Sequence, residues 1–496
     1  MPGFDDTIAA IATASGAAGL AVVRVSGPQA VAIADAVFRG SAALADGAGN
    51  TLHHGWAAHP IVSERRIDEV VVALFRAPHS YTREDVVEIS CHGGSIPAQR
   101  VLEALLGAGA RLARPGEFTL RAFLNGRIDL AQAEAVADLI HAETAAAHEL
   151  ALSQLAGELS RRLEAVSERV TDALAEVEAR VDFAEDVGGV EVPPHVVAAI
   201  AEAERSLAAL LEGAPWARAV REGLWVPIVG RPNVGKSSLF NALLGEERAI
   251  VTDVPGTTRD RVSEAIEVAG VRVTLSDTAG LRQSAEPIEA IGIARAREAL
   301  ESCTVALWVV DGAEPLASED RWIAERLRTK RVLVALNKRD LPAVTQGAEV
   351  TALLDGAADG LAMARSEASG EANARTAVLD AAPAVMAREV ERVRVVAVSA
   401  ARHEGLEELR AALASLLGAD GTGGHAAAVG NARHAEALGR ARDALVRASA
   451  IAARGEPGEI VALELRECLG AIGEVTGRSA GEDLLDRIFS RFCIGK

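Results

Sequence analysis

The chain of 496 residues is too long for one ordinary domain and long enough for about three. Apolar residues make up 49% and charged residues 24%, a balance that excludes disorder over the whole length. Lys+Arg 51 against Asp+Glu 70 leaves a formal charge of −19, which excludes a generally basic, nucleic-acid-coating protein but allows a local basic patch.

Residues 1–125 mix short β-branched runs with helical stretches and predict an α+β domain. Strands are expected over 21–25, 68–75 and 85–91, with turns at Ser26-Gly27-Pro28 and His92-Gly93-Gly94. The pattern then turns helical. Leu155, Leu159, Leu163, Val166, Val170, Leu174, Val177 and Val181 recur every three or four residues, the apolar stripe of one long bundle helix. A second helix is expected over 196–211, and 126–217 is read as the first part of a helical domain. Residues 218–417 alternate strands (225–229, 271–276, 305–310, 332–337 and 393–399) with helical stretches, the βαβ rhythm of a parallel sheet. Within them 345–388 is rich in Ala, Gly, Asp and Glu and is expected to be a surface insertion. After a Gly-rich break at 418–424, helices over 432–454, 460–470 and 481–492 make 418–496 the second part of the helical domain. The fold class is thus multidomain, α/β plus α+β plus all-α, with the α/β domain inserted into a helical one.

Cys91, Cys303, Cys468 and Cys493 show no CxxC spacing, so neither a disulfide scaffold nor a zinc ribbon is supported. The charge-free stretch 7–23 is broken by Ser15, Gly16 and Gly19 and preceded by Asp5 and Asp6, unlike a signal peptide or a membrane span. A cytoplasmic protein is expected. Only four of the 51 basic side chains are Lys: Lys236, Lys330, Lys338 and Lys496. They mark places where a compact ammonium matters, or, as at Lys330, chance.

Gly230-Arg231-Pro232-Asn233-Val234-Gly235-Lys236-Ser237 matches GxxxxGK[ST], after one strand and before a helix at Ser238. Its backbone N–H groups can surround phosphates, Lys236 supplies charge, and Ser237 offers a hydroxyl to Mg²⁺. Asp277-Thr278-Ala279-Gly280 follows the next strand, where the carboxylate meets Mg²⁺ through water and the Gly N–H meets the γ-phosphate. Between the two lies Thr252-Asp253-Val254-Pro255-Gly256-Thr257-Thr258, a segment that can order around the metal. In Asn337-Lys338-Arg339-Asp340 the carboxylate can accept from guanine N1 and N2, and a backbone N–H of Ser399-Ala400-Ala401 can meet O6. These ordered elements specify a GTP site. Leu281 stands where many small GTPases carry a water-orienting Gln, so another group must act. Glu289 is the candidate, with an exposed helix carboxylate as the alternative. Asn233 can help hold a monovalent cation in place of an arginine finger.

Beyond these boxes, the stretch from Arg114-Pro115-Gly116-Glu117-Phe118 to Gly126-Arg127, with Asp129-Leu130-Ala131-Gln132-Ala133-Glu134-Ala135, resembles the signature of the MnmE (TrmE) family of tRNA wobble-uridine modification GTPases. Asp6-Thr7-Ile8-Ala9-Ala10, Val23-Arg24-Val25-Ser26-Gly27, Glu84-Asp85-Val86-Val87-Glu88 and the terminal Phe492-Cys493-Ile494-Gly495-Lys496 match too. The resemblance implies an N-terminal domain that forms the homodimer contact and binds a tetrahydrofolate derivative (5,10-methylene or 5-formyl) through Arg24, Glu88, Arg127 and Lys496. The family often has Lys where Arg127 stands. It also implies K⁺ at Asn233, Thr252, Val254 and Thr257, Mg²⁺ at Ser237 and Thr258, and Glu289 orienting the attacking water. K⁺-promoted pairing of GTPase domains would then trigger hydrolysis. The implied partner is an FAD-bearing protein of the MnmG (GidA) family, in a heterotetramer that adds an aminomethyl or carboxymethylaminomethyl group at C5 of U34 of tRNA. Cys493 matches a family cysteine at the modification site; from the residue alone it is equally a buried small apolar side chain.

Two other readings stand beside this one. A translation or ribosome-assembly GTPase acting as a switch would bind no folate. A folate-dependent transferase with a regulatory GTPase would need no flavoprotein.

Overall fold

Alternation along short strands builds the first sheet. The computed structural model describes residues 5–14, 16–60, 66–182, 191–245, 263–277, 303–356, 392–416, 429–479 and 481–495. Seven strands, β1 (Ile8–Ile11), β2 (Leu20–Ser26), β3 (Phe38–Gly40), β4 (Thr51–Ala58), β5 (Arg66–Phe75), β6 (Val86–His92) and β7 (Arg111–Leu112), lie in the order β3-β4-β5-β6-β2-β1-β7. All neighbours are antiparallel except β1 and β7. Val23, Val25, Val70, Val72, Val87 and Ile89 point to one face and are buried with Val31, Ile33 and Val37 of helix Ala30–Val37 and Val101 and Leu105 of helix Ser95–Gly107. The period of two sends Arg24 and Glu88 to the other face, directly opposite each other in the β2–β6 register. The strands expected at 21–25, 68–75 and 85–91 correspond to β2, β5 and β6; β1, β3, β4 and β7 are additional.

The signature stretch is a charged junction. Gly116 precedes helix Glu117–Leu124 at φ +70°, and a Cβ there would meet the Phe489 carbonyl. Arg121 is wholly buried and reaches Asp6 at 2.6 Å, Glu117 at 3.1 Å and Glu84 at 3.2 Å, while Arg111 reaches Glu117 at 2.5 Å and Asp6 at 2.6 Å. Burial alone would raise the Glu117 pKa, but bonds from Arg111, the Arg114 N–H and Arg121 hold it below the ordinary carboxylate range.

Helix Glu158–Asp182 buries Leu159, Leu163, Val166, Val170 and Val177 along its stripe and lies against helix Gly458–Thr476. Arg466–Glu178 (2.6 Å) and Arg478–Glu164 link the two and fix them antiparallel. Leu155 does not belong to this stripe. It ends the preceding helix Ala145–Leu155, and Gly157 at φ +79° separates the two.

The second sheet comprises β8 (Leu224–Val229), β9 (Ser263–Val268), β10 (Val271–Asp277), β11 (Val305–Asp311), β12 (Arg331–Asn337) and β13 (Val393–Ala397), in the order β13-β12-β11-β8-β10-β9. It is parallel apart from the antiparallel edge strand β9, which the sequence pattern does not predict. Within the expected surface insertion, helix Gly347–Leu354 buries Val350, Leu353 and Leu354 in the core beside β11 and β12, which corrects that expectation for 345–356. Residues 357–391 lie outside the described set. The chain folds as two compact units: Met1–His141 with Ala151–Ala209 and Glu436–Lys496, and Ala142–Leu150 with Leu210–Ala435. Residues 142–150, expected in the helical part, group with the second unit.

Removing the central guanidinium as Arg121→Met takes one partner each from Asp6, Glu84 and Glu117, leaves Arg111 on Asp6 and Glu117, and is expected to cost about 3 kcal/mol in urea unfolding; a loss under about 1 kcal/mol would contradict this network. Because the Glu117 pKa is depressed on folding, its contribution is complete above about pH 4.5 and is lost as pH falls through the lower folded value. Glu117→Gln should therefore flatten the stability–pH curve below about 4.5; an unchanged slope there would refute the assignment.

Candidate functional site

Four chain crossings end at one edge of the second sheet. The phosphate-loop sequence follows β8, Asp277 ends β10, Asp311 ends β11 and Asn337 ends β12. Ligands of open α/β sheets sit at such carboxyl ends. The loop turns through Asn233 at φ +65° and Gly235 at φ +96° before helix Lys236–Gly245. A Cβ on Gly235 would overlap the Asn337 side-chain amide, so the position requires Gly sterically as well as conformationally. Val234 is buried, whereas Ser237 and Ser238 are exposed at the helix start. Lys236 is buried, and its Nζ donates to the carbonyls of Gly230 (2.9 Å) and Arg231 (2.6 Å).

Asn337 is a strut. Its Nδ2 donates to the Val234 carbonyl at 2.8 Å and its Oδ1 accepts from the Ala400 N–H at 3.0 Å, both in buried surroundings. Within the segment expected to offer a backbone N–H to guanine O6, the Ser399 N–H goes to the Glu404 carbonyl and the Ala400 N–H to Asn337, while Ala401 is exposed. Asp340 accepts from the Ser399 hydroxyl at 2.6 Å. That bond, with Arg402 and Lys338 nearby, holds its carboxyl below the ordinary range, so it is an anionic acceptor at neutral pH. Lys338, at φ +67°, reaches Asp311 at 2.5 Å. Sequence reasoning missed Asp311, whose signal is a carboxylate closing a wholly apolar strand. It also missed the grip on Arg231, which lies 3.1 Å from Glu314 and 3.0 Å from the buried Asp320. The candidates Thr252, Asp253, Val254, Pro255, Gly256, Thr257, Thr258, Thr278, Ala279, Gly280, Glu289 and Lys496 lie outside the described residues.

In the first unit a cleft of about 570 Å³ opens on the sheet face opposite helices Ala30–Val37 and Ser95–Gly107, lined among others by Arg24, Tyr81, Glu88 and Arg127. The register that faces Arg24 with Glu88 yields an ion pair of 2.8 Å. Arg24 lies 5.1 Å from the Tyr81 ring centroid, and Arg127 approaches the same ring at 4.8 Å. Thr119 holds the Tyr81 hydroxyl at 2.9 Å. The Gly495 carbonyl accepts from Arg24 at 3.2 Å, so the chain end reaches this cleft. Three sequence-expected folate residues thus share one cavity. Its volume suits a ligand of cofactor size. A carboxylate beside an aromatic ring suits an amidine-like heterocycle edge, and the guanidinium groups suit carboxylates. Cys493 is exposed, which sets aside the buried alternative. Burial raises Cys91 to about 11 and Cys468 to about 12, so neither is a thiolate at neutral pH.

Family models cover both units: the description "GTP-binding protein TrmE N-terminus" matches residues 7–127 and "MnmE helical domain" matches 130–493. The tRNA modification GTPase MnmE of Moorella thermoacetica is 43% identical over 505 residues, covering 99% of this chain and all of that protein. Those of Symbiobacterium thermophilum and Chloroflexus aurantiacus are 44% and 43% identical, with the same coverage. With a model spanning most of the chain and full-length relatives above 40% identity, the chain belongs to the MnmE (TrmE) family of tRNA modification GTPases.

Proposed function

We propose that this GTPase works with an FAD-dependent flavoprotein of the MnmG (GidA) family, in a heterotetramer, to install an aminomethyl or carboxymethylaminomethyl group at C5 of the tRNA wobble uridine U34. The methylene carbon comes from a tetrahydrofolate held in the N-terminal cleft. The observation that carries the folate part is the placement of Arg24, Glu88 and Arg127 around one cavity on the same sheet face, with Gly495 bonded to Arg24. A pure switch GTPase has no use for that arrangement. Among the described residues no helix is long and apolar enough to cross a membrane.

Within the second unit each residue has a defined task. Lys236, now on the carbonyls of Gly230 and Arg231, would exchange them for phosphate oxygens. Ser237 would hold Mg²⁺ together with Thr258, and Asn233 would hold K⁺ with Thr252, Val254 and Thr257. Asp340, aligned by Ser399, selects guanine. Leu281 cannot orient water, so Glu289 is assigned that role, and K⁺ supplies the charge that an arginine finger gives elsewhere. Pairing of two GTPase domains across the homodimer, promoted by K⁺, starts hydrolysis.

GTP turnover is expected to be about tenfold or more faster in K⁺ than in Na⁺ at equal ionic strength; equal rates would remove the cation assignment. Asp340→Asn should weaken GDP binding by about 10- to 100-fold, read by calorimetry, and undiminished affinity would exclude Asp340 as the base-reading group. Glu88→Gln should weaken 5-formyltetrahydrofolate by a comparable factor of about 10 or more. Tight folate binding to that variant would displace Glu88 from the site.

A further inference from the structure

The mouth of the N-terminal cleft carries charge that its interior does not use. Arg83 and Arg127 both line the cleft and both are exposed. Arg83 sits at φ +61°, a conformation uncommon for a residue with a side chain. Its Nη1 donates to the Asn125 carbonyl at 3.1 Å, while Asn125 Nδ2 donates to the Thr82 carbonyl at 2.7 Å. The loop is thereby stitched to the end of helix Glu117–Leu124, and the guanidinium is held at the rim. Arg127 donates to the Tyr81 carbonyl at 3.1 Å and stacks near its ring. Among the described residues neither arginine is ion-paired with a carboxylate. The nearby carboxylates are engaged: Glu88 with Arg24, Asp85 with Arg76, and Glu84 with Arg121. In a chain of net charge −19, this is a local cationic rim around a cavity whose interior already carries a paired carboxylate.

We propose that this rim binds the γ-linked oligoglutamate tail of a reduced folate, and that Arg83 distinguishes long tails from a single glutamate. The proposal rests on the folate reading of the cleft and extends it outward. With the heterocycle edge at Glu88 and Arg24, the tail leaves through the mouth past Arg83 and Arg127. Each added γ-glutamyl unit brings one more carboxylate, and the guanidinium fork suits such groups. A polynucleotide backbone is the other polyanion that could meet these side chains. The tail is favoured because the cations line the same cavity as Glu88.

The test is calorimetric titration of the full-length protein with 5-formyltetrahydrofolate as the monoglutamate and as the triglutamate, at about 50 and 300 mM salt. The triglutamate should bind about five- to twentyfold tighter at low salt, and the advantage should shrink at high salt. Arg83→Gln should cut the advantage to about twofold while leaving monoglutamate affinity within about twofold, and Arg83→Lys should recover part of it. Equal affinity of the two forms in the wild type overturns the proposal. So does a tail advantage unchanged in a folded Arg83→Gln variant, or a loss in that variant of tRNA binding alone. Failure of both folate forms to bind would contradict the folate reading itself.

Discussion

One side-chain amide sets the geometry of the nucleotide end of the molecule. Asn337 joins the carbonyl of Val234 in the GxxxxGK[ST] loop to the N–H of Ala400 after β13, with both bonds shielded from water. Gly235 has no Cβ because that amide occupies the space. A buried amide with both ends satisfied is rigid and costly to disturb. The GxxxxGK[ST] loop and the segment after β13 are therefore held relative to each other by the protein itself. Lys338 on Asp311 and Asp340 on Ser399 extend the same construction along the sheet edge. Preorganisation of this kind lets binding energy act on the nucleotide instead of on ordering the loops.

The N-terminal unit solves a different problem. Two helices cover one face of the sheet, Phe118 covers part of the other at Ile8 and Ala10, and strand alternation decides which residues stand on each. Val23 and Val25 go inward, so Arg24 must go outward, and the β2–β6 register makes Glu88 its partner. The charged junction of Asp6, Glu84, Arg111, Glu117 and Arg121 then ties the first helix after the sheet to β1, β7 and the loop before β6. The same helix carries Thr119, which holds Tyr81, and ends at Asn125, which holds Thr82. The long signature motif is thus largely scaffolding. Its Glu117 and Arg121 are buried and paired with each other, Arg114 is exposed, and Arg127 at its end lines the cleft.

The strong periodicities were legible in the sequence. The five expected strands of the α/β unit and the stripe from Leu159 to Val177 depend on apolar patterns that tertiary packing reinforces. Edge and mixed strands were not legible. β4 carries His53, His54 and Gly55 in its middle and exists because β5 pairs along it. β9 carries Glu264 and Glu267 three residues apart around Ala265 and Ile266, so its sequence has no alternation to read. Helix Gly347–Leu354 is short and begins with Gly, and packing on the sheet, which local composition does not encode, decides it. In the site, motif residues were readable because their spacing is local. Asp311, Asp320 and the Arg24–Glu88 pair join positions far apart in the chain, and such contacts leave no local pattern. For Arg24 and Glu88 the family resemblance supplied what spacing could not.

The central claim is that a guanine-selective hydrolase and a one-carbon site serve one reaction in this chain. It is tested most directly by supplying 5,10-methylenetetrahydrofolate labelled with carbon-13 at the methylene, together with ammonium or glycine as the amine donor, GTP, Mg²⁺, K⁺, the flavoprotein and unmodified tRNA, and weighing the U34 nucleoside. The label should appear in the modified uridine, and only when GTP is hydrolysed. A modified U34 that carries no label would contradict the claim.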